Sequence, residues 1–351
     1  MTSADLSLYC LYAAYSAMAI YVISFIAFAL DLAKRSGDAQ IAATAALKAQ
    51  TQRAQTQRAQ TQTQNASAAV SGGQMAMVGG GSGPAVAVLE RTDVADPDRA
   101  PRRSSKFERV GLSMMGLGLI VHVASVVFRG LAAGRVPWAN MFEFGLTGTA
   151  LIVFVFLLVN VFVNLRYLGA YVMGLNLVLL GVAVVNFYVP ISPLVPALQS
   201  YWLVIHVFVA CLGTAFFAIA AGLSAAQIIQ ARREVSRNAG IKLFDTLPGA
   251  DRLEDLAYRI ALVGFVLWTF TLIAGAIWAE KAWGRYWGWD TKEVWTFIIW
   301  VIYAGYIHAR ATRGWRGARS SYLSIVGFAA VMFNFSVVNL FFKGLHAYSG
   351  L

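Results

Sequence analysis

Two kinds of side chain in this sequence could do chemistry, and they interleave along the chain. One is an aromatic run, WGRYWGWDTKEVW at 283–295, holding Trp283, Tyr286, Trp287, Trp289 and Trp295 together with a carboxylate, Asp290. The other is a set of four histidines, His122, His206, His308 and His346, each in or beside a long apolar stretch. Indoles offer flat π-faces and N–H donors, and Lys281, Arg285 and Lys292 place cations beside them. Neutral imidazole is a good iron ligand. Trp and Tyr also form plain belts at membrane interfaces, but such density, with a carboxylate inside the run, exceeds what a belt needs. The ligand that suits this surface is large, flat, apolar in the middle and anionic at its edge, a description that haem fits.

These residues must be positioned by membrane helices. The chain has 351 residues, of which 58% are hydrophobic and 13% charged, with a mean hydropathy of +0.62. Soluble domains are near half apolar and a quarter charged. Runs of about twenty apolar residues, enough to cross about 30 Å of hydrocarbon, begin near residue 6 and predict spans at about 6–30, 109–128, 141–164, 168–188, 202–226, 259–280, 294–310 and 321–342. The expected fold is therefore all-α: a polytopic membrane helical bundle of about eight transmembrane helices. Residues 1–32 form the first transmembrane anchor, since Asp5 precedes the apolar run and Lys34 and Arg35 follow it, the reverse of a cleaved signal peptide. Residues 33–106 differ in composition. A tandem TQRAQ repeat at 51–60 and a Gly-rich stretch leave little apolar surface to bury, so this segment reads as a disordered low-complexity cytoplasmic loop. Residues 107–351 make up the remaining membrane domain.

Orientation follows from the cations. Placing both termini outside leaves Arg129, Arg135, Lys281, Arg285, Lys292 and Lys343 in outer connections. Inner connections, even without 33–106, hold eleven from Arg166 to Arg319. By the positive-inside rule the aromatic run lies on the extracytoplasmic face of a multi-pass plasma-membrane protein. The net charge of +11 thus reports topology; the basic residues lie in separate connections rather than on one face, so no nucleic acid is expected as a partner beyond the lipid bilayer itself. Cys10 and Cys211 are far apart with no CxxC pair, which excludes thiol–disulfide exchange by this chain alone.

On this topology His206 lies about one turn inside its span and His346 just beyond the last one, both near the level of the aromatic run. Two imidazoles approaching opposite faces of a porphyrin give a six-coordinate iron site. His122 and His308 fall deeper, about 18 Å from the inner face and about 21 Å from the outer face respectively, and form a second candidate pair. Asp290 is suited equally to orienting a histidine or an indole N–H and to capping the helix that follows it. Arg129 and Arg135 are positioned to pair with propionates, or simply to be solvated.

The order WGxYWGWDxKE resembles the tryptophan-rich "WWD" signature of haem-handling membrane proteins of cytochrome c maturation. Its flanks are similar to the CcsA/ResC branch, called CcsB in actinobacteria, of the System II pathway, and the likeness covers most of the chain outside 33–106. That resemblance implies an outer haem held by His206 and His346, with Trp283, Tyr286, Trp287, Trp289 and Asp290 around it. It implies an internal haem on His308, in its YxHAR context, and His122. PWANMFEF at 137–144 also resembles the family, with no role implied.

The function expected from the resemblance is movement of haem b to the outer face and its presentation for thioether attachment to the CxxCH motif of an apocytochrome c. This implies cytochrome c haem lyase (holocytochrome c synthase) activity together with a ResB-type membrane subunit, with a thioredoxin-like thiol reductant to keep the acceptor cysteines reduced. Two other classes use similar residues: a b-type haem electron-transfer subunit, and a non-haem solute transporter with histidine proton relays.

Overall fold

In a computed structural model of the chain, residues 2–71, 105–235, 247–312, 315–342 and 344–346 are described below. The described residues are helical apart from short connections. They belong to two units, Met1–Ala33 with Ser104–Leu351, and Lys34–Arg103.

Among the described residues nine α-helices follow in order: α1 (Ser3–Ser71), α2 (Lys106–Ala133), α3 (Met141–Phe162), α4 (Gly169–Asn186), α5 (Tyr201–Val235), α6 (Ala250–Trp283), α7 (Thr291–Ala311), α8 (Ala318–Phe335) and α9 (Val337–Phe341). Seven segments, α1 to α6 and the α8–α9 pair, are long and apolar enough to cross a membrane. The run expected at 294–310 is α7, whose 21 residues carry Lys292 and Glu293 at one end and His308 and Arg310 at the other; it is not one of the seven. The result is the expected polytopic membrane bundle, in which helices satisfy every interior backbone group within one segment.

Helix ends match local sequence chemistry. Ser105 and Asn140 cap α2 and α3 by accepting from the backbone N–H of Glu108 and Glu143. Gly134 and Gly284 end α2 and α6 in the left-handed conformation, with φ of 63° and 69°, which costs glycine little. The last expected span is broken at Ser336, between α8 and α9.

Helix α5 lies at the centre, packing on α6, α8 and α3, while α7 packs on α6 and α8 and α2 packs on α3. Small residues let the backbones approach, as is usual between membrane helices. A Cβ added at Gly213 of α5 would sit 3.4 Å from the Gly264 carbonyl of α6. At the far side of the bundle Ser24 Oγ donates to the Gly111 carbonyl and Ser125 Oγ to that of Cys10, tying α1 to α2. At the end opposite the aromatic run, Arg310 is paired with Glu254 and Asp255 at 2.8 and 2.5 Å.

One expectation about the second unit is corrected. The repeat segment, read as lacking structure, is helical as far as Ser71, with exposed side chains through the repeats. Ala, Gln and Arg are good helix formers, so local propensity is enough where no core is available. The Gly-rich part of 33–106 lies outside the described residues.

Candidate functional site

At the end of the bundle that carries the aromatic run, a cavity opens between α3, α5, α6, α7 and α8. It holds about 1600 Å³ of empty space, its open mouth included. His206, His346, Tyr286, Trp287, Trp278 and Lys292 all line it.

His206 projects from α5. Its Nδ1–H donates to the Thr271 carbonyl of α6 at 2.9 Å, and its ring stacks on Trp278 with centroids 5.9 Å apart and planes 14° apart. Gly275, one turn after Thr271, makes the room: a Cβ there would lie 2.7 Å from His206 Cε1. His346 comes from beyond α9. Its Nδ1–H donates to Asp290 Oδ2 at 2.8 Å, and its edge meets Trp278 at 5.4 Å and Trp283 at 4.8 Å. The two imidazoles therefore share one indole. In both rings Nδ1 is engaged, so Nε2 remains as the nitrogen able to bind a metal, its tautomer fixed by the hydrogen bond behind it.

Asp290 performs both of the tasks between which the sequence left an even choice. It caps α7 in a reciprocal box with Glu293. It also accepts from His346 and, through Oδ1, from the Leu345 N–H at 2.9 Å. The His346 bond above all, with the backbone donors, holds its carboxyl down at about 2. Gly344 allows this approach, since a Cβ there would be 2.2 Å from Oδ1.

The rest of the run is organised around Glu293. Its Oε2 accepts from the backbone N–H of Gly288 at 2.8 Å and of Asp290 at 3.0 Å. The Arg285 guanidinium folds over Gly288, where any Cβ would overlap it, and reaches Glu293 Oε1 at 3.7 Å. Trp283 ends α6, and Trp295 packs on Phe333 of α8 at 4.4 Å. Tyr286, 63% exposed, stands at the cavity with Trp287. Trp289 does not line it: it is 75% exposed, touches Trp287 edge-on and has a φ of 60°, a strained backbone for a bulky residue. Trp278, Gly275 and Thr271 escaped sequence reasoning. The signal for Trp278 was its place five residues before the run, on the same helix as Trp283.

One other reading is corrected. Arg129 and Arg135 are not open to propionates: both grip Glu143, at 2.9 and 2.7 Å, with Arg129 and Glu143 fully buried. Ala139 N–H also donates to Glu143. This is the role of PWANMFEF, since the carboxylate pins the segment whose Trp138 and Phe144 form a wall of the cavity. His122 is wholly buried, with Nδ1 3.3 Å from the Tyr21 hydroxyl, while His308 is exposed on α7, which packs on α6 and α8.

The model of a family described as cytochrome C assembly protein matches residues 138–346, from the Trp138 wall to His346. Proteins named cytochrome c biogenesis protein CcsA are similar in sequence. That of Prochlorococcus marinus is 34% identical over 256 residues, covering 65% of this chain and 80% of the relative. That of Synechococcus elongatus is 33% identical over 290 residues, covering 68% and 87%. A solved structure titled cytochrome c heme lyase CcmF shares the fold over 95% of this chain, with a TM-score of 0.57 and 15% identity. The chain spans about half of that protein, 47% of its length.

Proposed function

Since the chain belongs to the cytochrome C assembly protein family, we propose that it is the haem-handling membrane subunit of cytochrome c maturation, with haem b as its cargo, held at the aromatic-loop cavity by His206 and His346. The observation that carries this reading is the convergence of two imidazoles on Trp278, each with Nδ1 tethered, in one cavity. The surroundings fit a porphyrin. Indoles and a phenol line the walls, and Lys292 faces the interior.

The residues then divide the work. Thr271 and Asp290 aim the two rings, Trp278 and Trp283 buttress them, and Tyr286 and Trp287 hold the flat face of the cargo. The protein supplies position, which lowers a barrier by several kcal/mol when reacting atoms are held in near-attack geometry. The reaction served is addition of each acceptor cysteine S–H across a haem vinyl group. A C–S bond forms as the vinyl π bond breaks, the thiol proton goes to the vinyl carbon, and nothing leaves. The thiols must arrive reduced. The buried cysteines of this chain do not supply that reduction, so a thioredoxin-like reductant acts with it, as does a ResB-type membrane subunit that receives the apocytochrome c. The aromatic loop works on the extracytoplasmic face of the plasma membrane.

The test is the absorption spectrum of the purified, reduced chain from haem-replete cells. A low-spin bis-imidazole haem is expected, lost from this site in His206→Ala and His346→Ala along with cytochrome c maturation. Retention of the spectrum and of maturation in both variants would refute the reading.

A further inference from the structure

A dicarboxylate cargo in this cavity needs a cationic partner, and the lysines and arginines among the described residues at this end of the bundle can be taken one by one. Arg129 and Arg135 are committed to Glu143. Arg285 is folded onto Gly288 and faces Glu293. Lys281 is exposed and paired with Glu280 at 3.1 Å. Neither of these two lysine and arginine side chains lines the cavity. Lys292 does. It rises from the first turn of α7, and its Nζ donates one hydrogen bond, to the Asn334 carbonyl of α8 at 2.9 Å. An ammonium has three donors, so two remain. Asn334 lines the cavity as well, and its buried side-chain oxygen has no hydrogen-bond partner among the described residues.

Building on the haem reading above, we infer that Lys292 is the propionate-recognition residue of the cavity, and that it sets which edge of the porphyrin faces the α7–α8 wall. An anion in a cavity walled by indoles and aliphatic side chains gains more from one fixed ammonium than it would in water. The vinyl groups lie on the edge of the macrocycle away from the propionates, so a propionate anchored on Lys292 turns the vinyls away from α7 and α8. Lys292 is thus a positioning residue: it touches the cargo at its inert edge and acts on the reacting edge through orientation. The two remaining N–H groups match the oxygens of one carboxylate, while Asn334 fixes the ammonium from behind.

The experiment is titration of the purified full-length chain with two probes, ferric haem and ferric haem dimethyl ester, in which both propionate charges are removed by methylation. The wild-type chain is expected to favour the diacid by roughly tenfold or more, the range of a charge-assisted hydrogen bond. Lys292→Met should bring the two affinities within about twofold, and Lys292→Arg should keep the preference. Comparing the probes on one chain cancels their difference in hydrophobicity once the variants are set against wild type. Equal preference in wild type and Lys292→Met overturns the inference, as does a wild-type chain that binds both probes alike. That last result would leave haem binding itself intact. Failure of the wild-type chain to bind either probe would instead overturn the haem reading, and this inference with it. A Lys292→Met chain that does not fold leaves the wild-type and Lys292→Arg comparisons to decide.

Discussion

The carboxylate of Asp290 binds both the start of α7 and the imidazole of His346, 56 residues further on. Cap and tether are one group, so the aromatic run and the histidine from the other end of the domain form a single unit. The two duties can be separated by substitution. Asn is as good a helix cap as Asp but carries no charge. Asp290→Asn is therefore expected to keep thermal stability near wild type while weakening haem binding about 10- to 100-fold, the usual effect of removing the group behind a metal-binding histidine. Asp290→Ala should lose both, including about 1 kcal/mol of cap. Melting curves and haem titration measured side by side give the answer; equal losses of stability in the two variants would show that the charge serves folding alone.

Gly275 sits where His206 needs space. In Gly275→Ala the new methyl group would be 2.7 Å from the imidazole, closer than packing allows, so the ring must turn and lose Thr271. A shift of bound haem from low spin to high spin is the expected spectral sign. Gly305→Ala on α7 is the control, because nothing lies within 4 Å of its added Cβ and its spectrum should match wild type.

Glu143 holds two arginines in the interior. Breaking a buried ion pair by removing one partner strands the other charge, at a cost of about 3–5 kcal/mol. Glu143→Ala should fall in that range in detergent unfolding, and Arg135→Ala well below it, since Arg135 is partly exposed and its loss still leaves Arg129 paired with Glu143. An Arg135→Ala variant as unstable as Glu143→Ala would mean that Arg129 alone does not satisfy the carboxylate.

His122 and His308 occupy unlike places, so their alanine variants should differ. His122→Ala empties a buried contact with Tyr21 and is expected to lower the melting temperature, while the spectrum of the haem at the aromatic-loop cavity stays unchanged. His308→Ala removes an exposed ring and should leave the melting temperature of the isolated chain unaltered. Loss of the same spectral component from both variants, in the isolated chain, would support the idea that the two share one iron.

The sequence by itself determined the quantities that are read along one dimension. Lengths of apolar runs gave the spans, from the first anchor through the 294–310 run, and the even number of crossings put His206, His346 and the aromatic run at one end, where the structure also has them. Only the tertiary structure decided which side chains share a space. Apolar length does not report how far each helix is rotated about its axis, and that rotation buries His122 against Tyr21 while leaving His308 on the surface. It also hands Arg129 and Arg135 to Glu143, and among the described lysines and arginines leaves Lys292 facing the cavity. Asp290 is the clearest case. Its neighbours in sequence explain the cap, but the second duty needs Gly344 and His346 to return from 56 residues away, a meeting set by how α7 and α8 pack.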